Sequence, residues 1–192
     1  MNLATAPGTL SIVQHCLLYG GATLNLYTGS IPATPETAAS GTVLATWTFA
    51  TPGFTGVPTT SGGYDYLTAS FVSSSASPSN SGTAGYARAT FATPTARANT
   101  TAYTRGALVT ASSNLWVCTA SGTTSASSTL TGTTYGTIDG TATFDYVGAS
   151  TITAIADFTV GTSGTDIILG TTTITTGTNV TISSFRLQIS VV

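Results

Sequence analysis

Apolar and polar residues alternate along most of this chain, and a period of two predicts β-strands. Leu24 and Leu26 alternate within the stretch from Thr23 to Tyr27, and Val43, Ala45, Trp47 and Phe49 share one face against Leu44, Thr46 and Thr48. Tyr66 to Val72 and Gly85 to Phe91 read as the next strands. Towards the C-terminus Ile152, Ala154, Ala156, Phe158 and Val160 line one face, and Asp166 to Leu169 forms a short apolar strand. Val180 and Ile182 open the last strand, after which Phe185, Leu187, Ile189 and Val191 continue on the opposite phase. A bulge at Ser183-Ser184 is expected to absorb that slip. One segment has a different period. Ile12, Val13, Cys16 and Leu17 fall at i, i+1, i+4 and i+5 and predict a short helix over residues 9–19, capped by Thr9 or Ser11 and ended by Gly20-Gly21.

Residues 29–41, with Pro32 and Pro35, and 51–63, with Pro52 and Pro58, read as loops. A third stretch, about 95–147, has its own pattern: Gly106 to Val109, Leu115 to Thr119 and Gly140 to Phe144 are short strands around Trp116. A module of that size holds only a small core. The expected architecture is therefore all-β. An antiparallel β-sandwich is built from residues 1–94 and 148–192 with the N-terminal helix about 9–19, and the 95–147 module is inserted at an exposed loop. Trp47 and Trp116, both on alternating strands, are expected to face inward.

Composition narrows the function. Ten of 192 residues are charged, four arginines against six acids, and there is no lysine. Roughly a third of the residues are Ser or Thr, so hydroxyls rather than ions make the polar surface. Seven Phe, eight Tyr and two Trp supply a core and argue against intrinsic disorder. Four scattered arginines cannot neutralise a run of phosphates, which argues against a nucleic-acid partner. No apolar run reaches the length of a membrane helix, so no membrane partner is expected. Without lysine there is neither a phosphate-loop lysine nor a lysine-based cross-link between subunits.

Candidate chemistry is sparse. His15, the only histidine, neighbours Cys16, but adjacent helical residues point about 100° apart and form no dyad. Asp139 with Asp145, and Asp157 with Asp166, are the acid pairs nearest in sequence. Asp139-Gly140 and Asp166 are accounted for as turn residues, and no Asp-x-Asp-x-Asp run marks a calcium loop. Cys16 and Cys118 are expected to remain thiols, with Cys118 a small core residue in Leu115-Trp116-Val117-Cys118. The expectation is no catalytic residue, no cofactor-binding residue, no metal ligand and no enzymatic activity.

Two resemblances follow from particular residues. Tyr27, Gly29, Pro32, Gly41, Thr42, Leu44, Ala45 and Thr46, with Gly164 and Asp166 near the end, resemble a family of small bacteriophage and prophage virion structural proteins. Arg97, Ala98, Asn99, Tyr103, Gly106, Val109, Leu115, Trp116, Cys118, Thr119, Asp139, Gly140 and Phe144 resemble a small β module of phage tail and virion proteins. The chain departs from that module in having Trp116 where the aromatic varies and in lacking a Pro-Thr-Trp after the turn. The resemblances imply a virion structural protein, made in the host cytoplasm without a signal peptide and placed on the outer head surface. The expected role is capsid decoration or cement, held without covalent bonds to the major capsid protein and to neighbouring copies. The alternative is a head-fibre, tail or receptor-binding accessory protein that contacts host-surface glycans. The N-terminal helix segment, about 9–19, and the loops 29–41 and 51–63 are the expected docking elements.

Overall fold

The computed structural model describes residues 2–3, 21–61 and 64–190, with side chains for 21–54 and 68–186. The helix expected over 9–19, with His15 and Cys16, lies outside the described residues. Within them the chain is all-β. The first strands are β1 (Asn2–Leu3), β2 (Thr23–Tyr27), β3 (Val43–Ser61), β4 (Tyr64–Phe71), β5 (Ser75–Ala76), β6 (Gly82–Thr83) and β7 (Tyr86–Thr90). Then come β8 (Thr95–Ala96), β9 (Ala102–Tyr103), β10 (Leu108–Ala111), β11 (Asn114–Ala120), β12 (Gly122–Thr123), β13 (Thr137–Asp139) and β14 (Ala142–Ala149). The last are β15 (Ala154–Gly161), β16 (Ile167–Leu169), β17 (Thr173–Ile174) and β18 (Val180–Ser190).

The described chain divides into two compact units, one of residues 2–3, 21–90 and 154–190 and one of residues 91–153. In the first unit Thr90 and Ala154 are directly paired, so the chain leaves and re-enters that unit at adjacent positions. The expected sandwich does not form there. Strands run in the order β15-β16-β18-β4-β3-β2-β7, and β7 then pairs with β15, closing a seven-stranded barrel. The physical reason lies in β7, which is hydrogen-bonded on both edges, to β2 and to β15. No break in the ladder is left to separate two sheets, and closure removes the exposed edges. Leu24 lies beside Ala89 and Ala89 beside Ala156, while Leu26 lies beside Ala87 and Ala87 beside Phe158. Small residues next to large ones allow the wall to curve.

The barrel is filled by aromatic rings. Phe185 meets Phe158 at 4.7 Å between ring centroids, Phe54 at 5.5 Å and Phe49 at 6.2 Å. Each such ring, fully buried, contributes about 1.5–3 kcal/mol. Trp47 faces inward as expected and donates its indole N–H to Ser74 O at 3.2 Å. The bulge expected in the last strand is present: Ile168 pairs with Ser184 but Leu169 with Ile182, which leaves Ser183 over. The loop expected over 51–63 is instead strand as far as Ser61, paired with β4 through Thr59↔Tyr66 and Ser61↔Tyr64. Its register breaks between Phe49 and Phe54 and again between Thr55 and Thr59. Those gaps hold Pro52 and Pro58, whose missing N–H groups cannot join a ladder.

The second unit is a five-stranded sheet in the order β13-β14-β11-β10-β8, with a separate β9–β12 ladder. Its core is small: Val109, Trp116, Cys118, Leu130, Ala142 and Phe144, with Tyr103 and Tyr146 packed against it. Tyr146 meets Trp116 edge-on, and Tyr103 meets Phe144 in the same way, both at 5.8 Å.

Candidate functional site

The charges scattered along the sequence come together in space. Arg88 on β7 lies directly opposite Asp157 on β15, on the positions that alternate with inward Ala87, Ala89, Ala156 and Phe158. The pair is therefore on the outer wall of the barrel, yet Arg88 is 4% and Asp157 0% exposed. Two parallel bonds join them, Nε to Oδ1 at 2.6 Å and Nη2 to Oδ2 at 2.8 Å. This fork geometry is the strong form of an Arg–carboxylate contact. The hydrogen bonds to Asp157 raise the Arg88 pKa above its ordinary value, against the opposing effect of burial.

An outer-face ion pair stays buried only under a cover, and the cover is the connection between β2 and β3. This strap is closed at its neck, where Thr28 N–H donates to Thr42 O at 3.0 Å and Thr42 N–H to Thr28 Oγ1 at 2.9 Å. Gly41 sits in the neck at φ 81°, where a side chain would run into the Thr28 carbonyl, so glycine is required there. Arg88 Nη1 donates to Thr37 O at 2.8 Å. The Tyr86 hydroxyl accepts from Ser40 N–H at 3.0 Å and donates to Ser40 O at 2.9 Å. Tyr86 itself is fully buried and stacks on Tyr27, ring centroids 5.1 Å apart. Burial raises the Tyr27 pKa, with Tyr86 adding to it. Pro32 and Pro35 point inward, while Ala33, Thr34, Glu36, Thr37, Ala38, Ala39 and Ser40 are exposed. A compact loop with its ends together and its fold fixed from below is a form that often carries function.

The second unit has its own buried pair. Arg97 Nε meets Asp139 Oδ2 at 2.7 Å and Nη2 meets Oδ1 at 2.9 Å. Arg97 Nη2 also donates to Ser125 O at 2.7 Å, and Nη1 donates to Asn99 Oδ1. Ser125 closes the knot from the other side, its N–H at 3.1 Å and its hydroxyl at 2.6 Å from Asp139 Oδ1. Burial alone would raise the Asp139 pKa. The Arg97 and Ser125 hydrogen bonds outweigh it and leave the carboxyl below its ordinary value.

The other residues of chemical interest are also occupied. Asp145 accepts from Gly136 N–H at 2.7 Å, and Asp166 accepts from the Thr159 N–H and hydroxyl at 2.9 and 2.8 Å. Trp116 is in the core of its unit, as expected. Cys118 is a buried free thiol whose pKa is pushed up by desolvation. Among the described residues no group of three His, Cys, Asp or Glu could hold a metal, and no helix is long and apolar enough to cross a membrane. A cleft of about 270 Å³ in the barrel unit is lined by Thr171, Thr175, Thr178, Thr181 and Asn179 together with apolar Ile174 and Val180.

Neither ion pair is visible as a pair in the sequence, where the partners stand 69 and 42 residues apart. The available signal was indirect. Arg97 and Asp139 are both in the second resemblance, and Tyr27, Gly29, Pro32, Gly41 and Thr42 of the first one mark the strap and its neck. Arg88, Tyr86 and Asp157 carried no signal of their own. Comparison with protein families, with curated proteins and with solved structures finds no match.

Proposed function

We propose that this chain is a bacteriophage virion structural protein that decorates and cements the head, and that it works by packing rather than by catalysis. The observation that carries the proposal is the neutrality of the surface. Of the nine charged residues with described side chains, four are consumed in the two buried pairs, Asp145 and Asp166 are half-buried, and Glu36, Arg105 and Arg186 are exposed. A surface of Ser and Thr hydroxyls loses less on desolvation than a surface of ions and can re-pair its hydrogen bonds across an interface. Buried apolar area then contributes about 25 cal/mol per Å² before the entropic costs of association. Repetition over a symmetric shell converts modest contacts into avidity. The partners in this reading are the major capsid protein and neighbouring copies, and the location is the outer head surface of the particle.

The test is copy number and head stability. Purified protein titrated onto undecorated heads is expected to saturate at a stoichiometry set by the shell and to raise the temperature at which heads open. Failure to bind, or saturation with no thermal shift, would count against a cement role. The cleft around Asn179, which sets threonine hydroxyls beside Ile174 and Val180, favours a second reading, an accessory protein that contacts neutral host glycans. A few copies per particle, lost with the tail, would support that reading over decoration.

A further inference from the structure

We infer that the strap, residues 28–42, is the docking loop of this protein, and that Tyr86 and Arg88 hold it from below in its binding shape. The inference rests on the decoration reading and assigns the contact within it; the partner is a protein surface of the head shell that is itself poor in charge.

Three features carry it. The strap is pinned largely through its backbone: Tyr86 holds both polar groups of the Ser40 main chain, Arg88 holds the Thr37 carbonyl, and Thr28 and Thr42 close the neck, while the Ser40 hydroxyl donates to Ser30 O at 2.9 Å within the strap. Pinning of that kind leaves Ala33, Ala38 and Ala39 exposed. Apart from Glu36, its exposed residues are small, among them Ala33, Thr34, Thr37, Ala38, Ala39 and Ser40, which allow a partner's backbone to approach closely and cost little rotamer entropy when buried. Finally, a buried Arg–carboxylate pair is not an economical way to stabilise a barrel wall, because apolar residues of similar volume do as well or better. Specifying one conformation of a loop is a use that apolar side chains cannot serve, since only a donor reaches the Thr37 carbonyl. A loop ordered before association avoids the ordering cost that a flexible one incurs on binding.

The experiment compares wild type with Tyr86→Phe and Ala38→Arg in two measurements: amide exchange of strap residues in the free protein, and affinity for undecorated heads. Tyr86→Phe keeps the ring stacked on Tyr27 and removes only the hydroxyl. It is expected to speed exchange at Ser40 at least about fivefold, the equivalent of one lost hydrogen bond, and to weaken binding by a similar factor. Ala38→Arg is expected to leave exchange unchanged and to weaken binding at least about tenfold by placing a charge in the contact. Faster exchange with unchanged affinity would overturn the role of Tyr86 in docking. Full affinity in Ala38→Arg would overturn the strap as the contact, and strap-dependent binding to host polysaccharide instead of heads would do so as well. In the first two of those cases wild-type binding to heads still stands as its own result, whereas wild type that fails to bind heads removes the decoration reading and this inference together.

Discussion

The two units solve the same problem with different means. Each contains one arginine joined to one aspartate by a buried fork, and each pair lies among hydroxyls and main-chain carbonyls. In the barrel the pair is cross-strand, Arg88 opposite Asp157, and the wall it sits on is already fastened by a ladder on every edge and a cluster of five phenylalanines. Its further bond goes outward, to the strap. In the module the pair joins Arg97, just after β8, to Asp139, the last residue of β13, and its further bonds gather the 125–127 loop. The cluster packed around Trp116 has six buried side chains, with fewer rings than the barrel's. The same ion pair is thus an accessory in the unit with a large core and a structural centre in the unit with a small one. A domain with little apolar volume leans on specific polar fastening, as small scaffolds generally do.

Breaking the two pairs should expose that difference. Arg97→Ala leaves the Asp139 carboxylate buried without a counter-ion, a loss of about 3–5 kcal/mol. That is a large share of what so small a unit can hold. Amide exchange is expected to show 91–153 unprotected while the barrel strands stay protected. Equal loss of protection in both units would remove the distinction. Arg88→Ala removes a similar amount, about 3–5 kcal/mol, from a unit with more in reserve. The barrel is expected to remain folded with a lowered Tm, and the strap to become a site of limited proteolysis. A barrel that unfolds outright would mean that the pair, not the aromatic core, holds it together.

Acid sharpens the comparison in the module. The folded Asp139 pKa is lowered below its ordinary value, so the stabilisation it gives is complete above the unfolded value of about 3.9. It is lost as pH falls through the folded value. The module is expected to lose protection progressively below about pH 4, and Asp139→Asn is expected to flatten that dependence while lowering stability at neutral pH. Unchanged acid sensitivity in Asp139→Asn would assign the effect to another group. Replacing the whole pair, Arg97→Met with Asp139→Leu, is expected to cost far less than Arg97→Ala alone, because no charge is stranded. A denaturant melt of both variants checks this. The smallest effect is at Cys118, a buried thiol with a raised pKa, which is expected to react with a thiol reagent only after unfolding.

Much of the strand content could be read from the sequence because apolar and polar residues alternate along many strands, as in β2, where Leu24 and Leu26 are buried and their neighbours half-buried. Leu24 and Leu26, the odd residues of 43–49, and the phase change at Ser183 all follow from that rule. Barrel closure could not be read in this way. It depends on β7, whose short run Tyr86-Ala87-Arg88-Ala89-Thr90 gives no strong pattern yet is bonded on both edges. The 51–61 strand was hidden by Pro52 and Pro58, which mark bulges there rather than a loop. The ion pairs were hidden for a different reason. Charges far apart in sequence look isolated until the sheet register is known, and the same register places Arg88 beside Asp157. The strap residues read as loop correctly, but nothing in them tells that Thr37 and Ser40 are held from beneath by a neighbouring strand.

The central claim is that charge has been moved inside and that the outer surface works by neutral packing. The most direct test is the affinity for undecorated heads as a function of salt. Ionic contacts at a surface are screened over about 10 Å at 0.1 M salt and about 3 Å at 1 M. The account predicts that affinity changes by less than about threefold between these two conditions. A steep fall in affinity over the same range would show that ionic contacts hold the protein in place, and would contradict it.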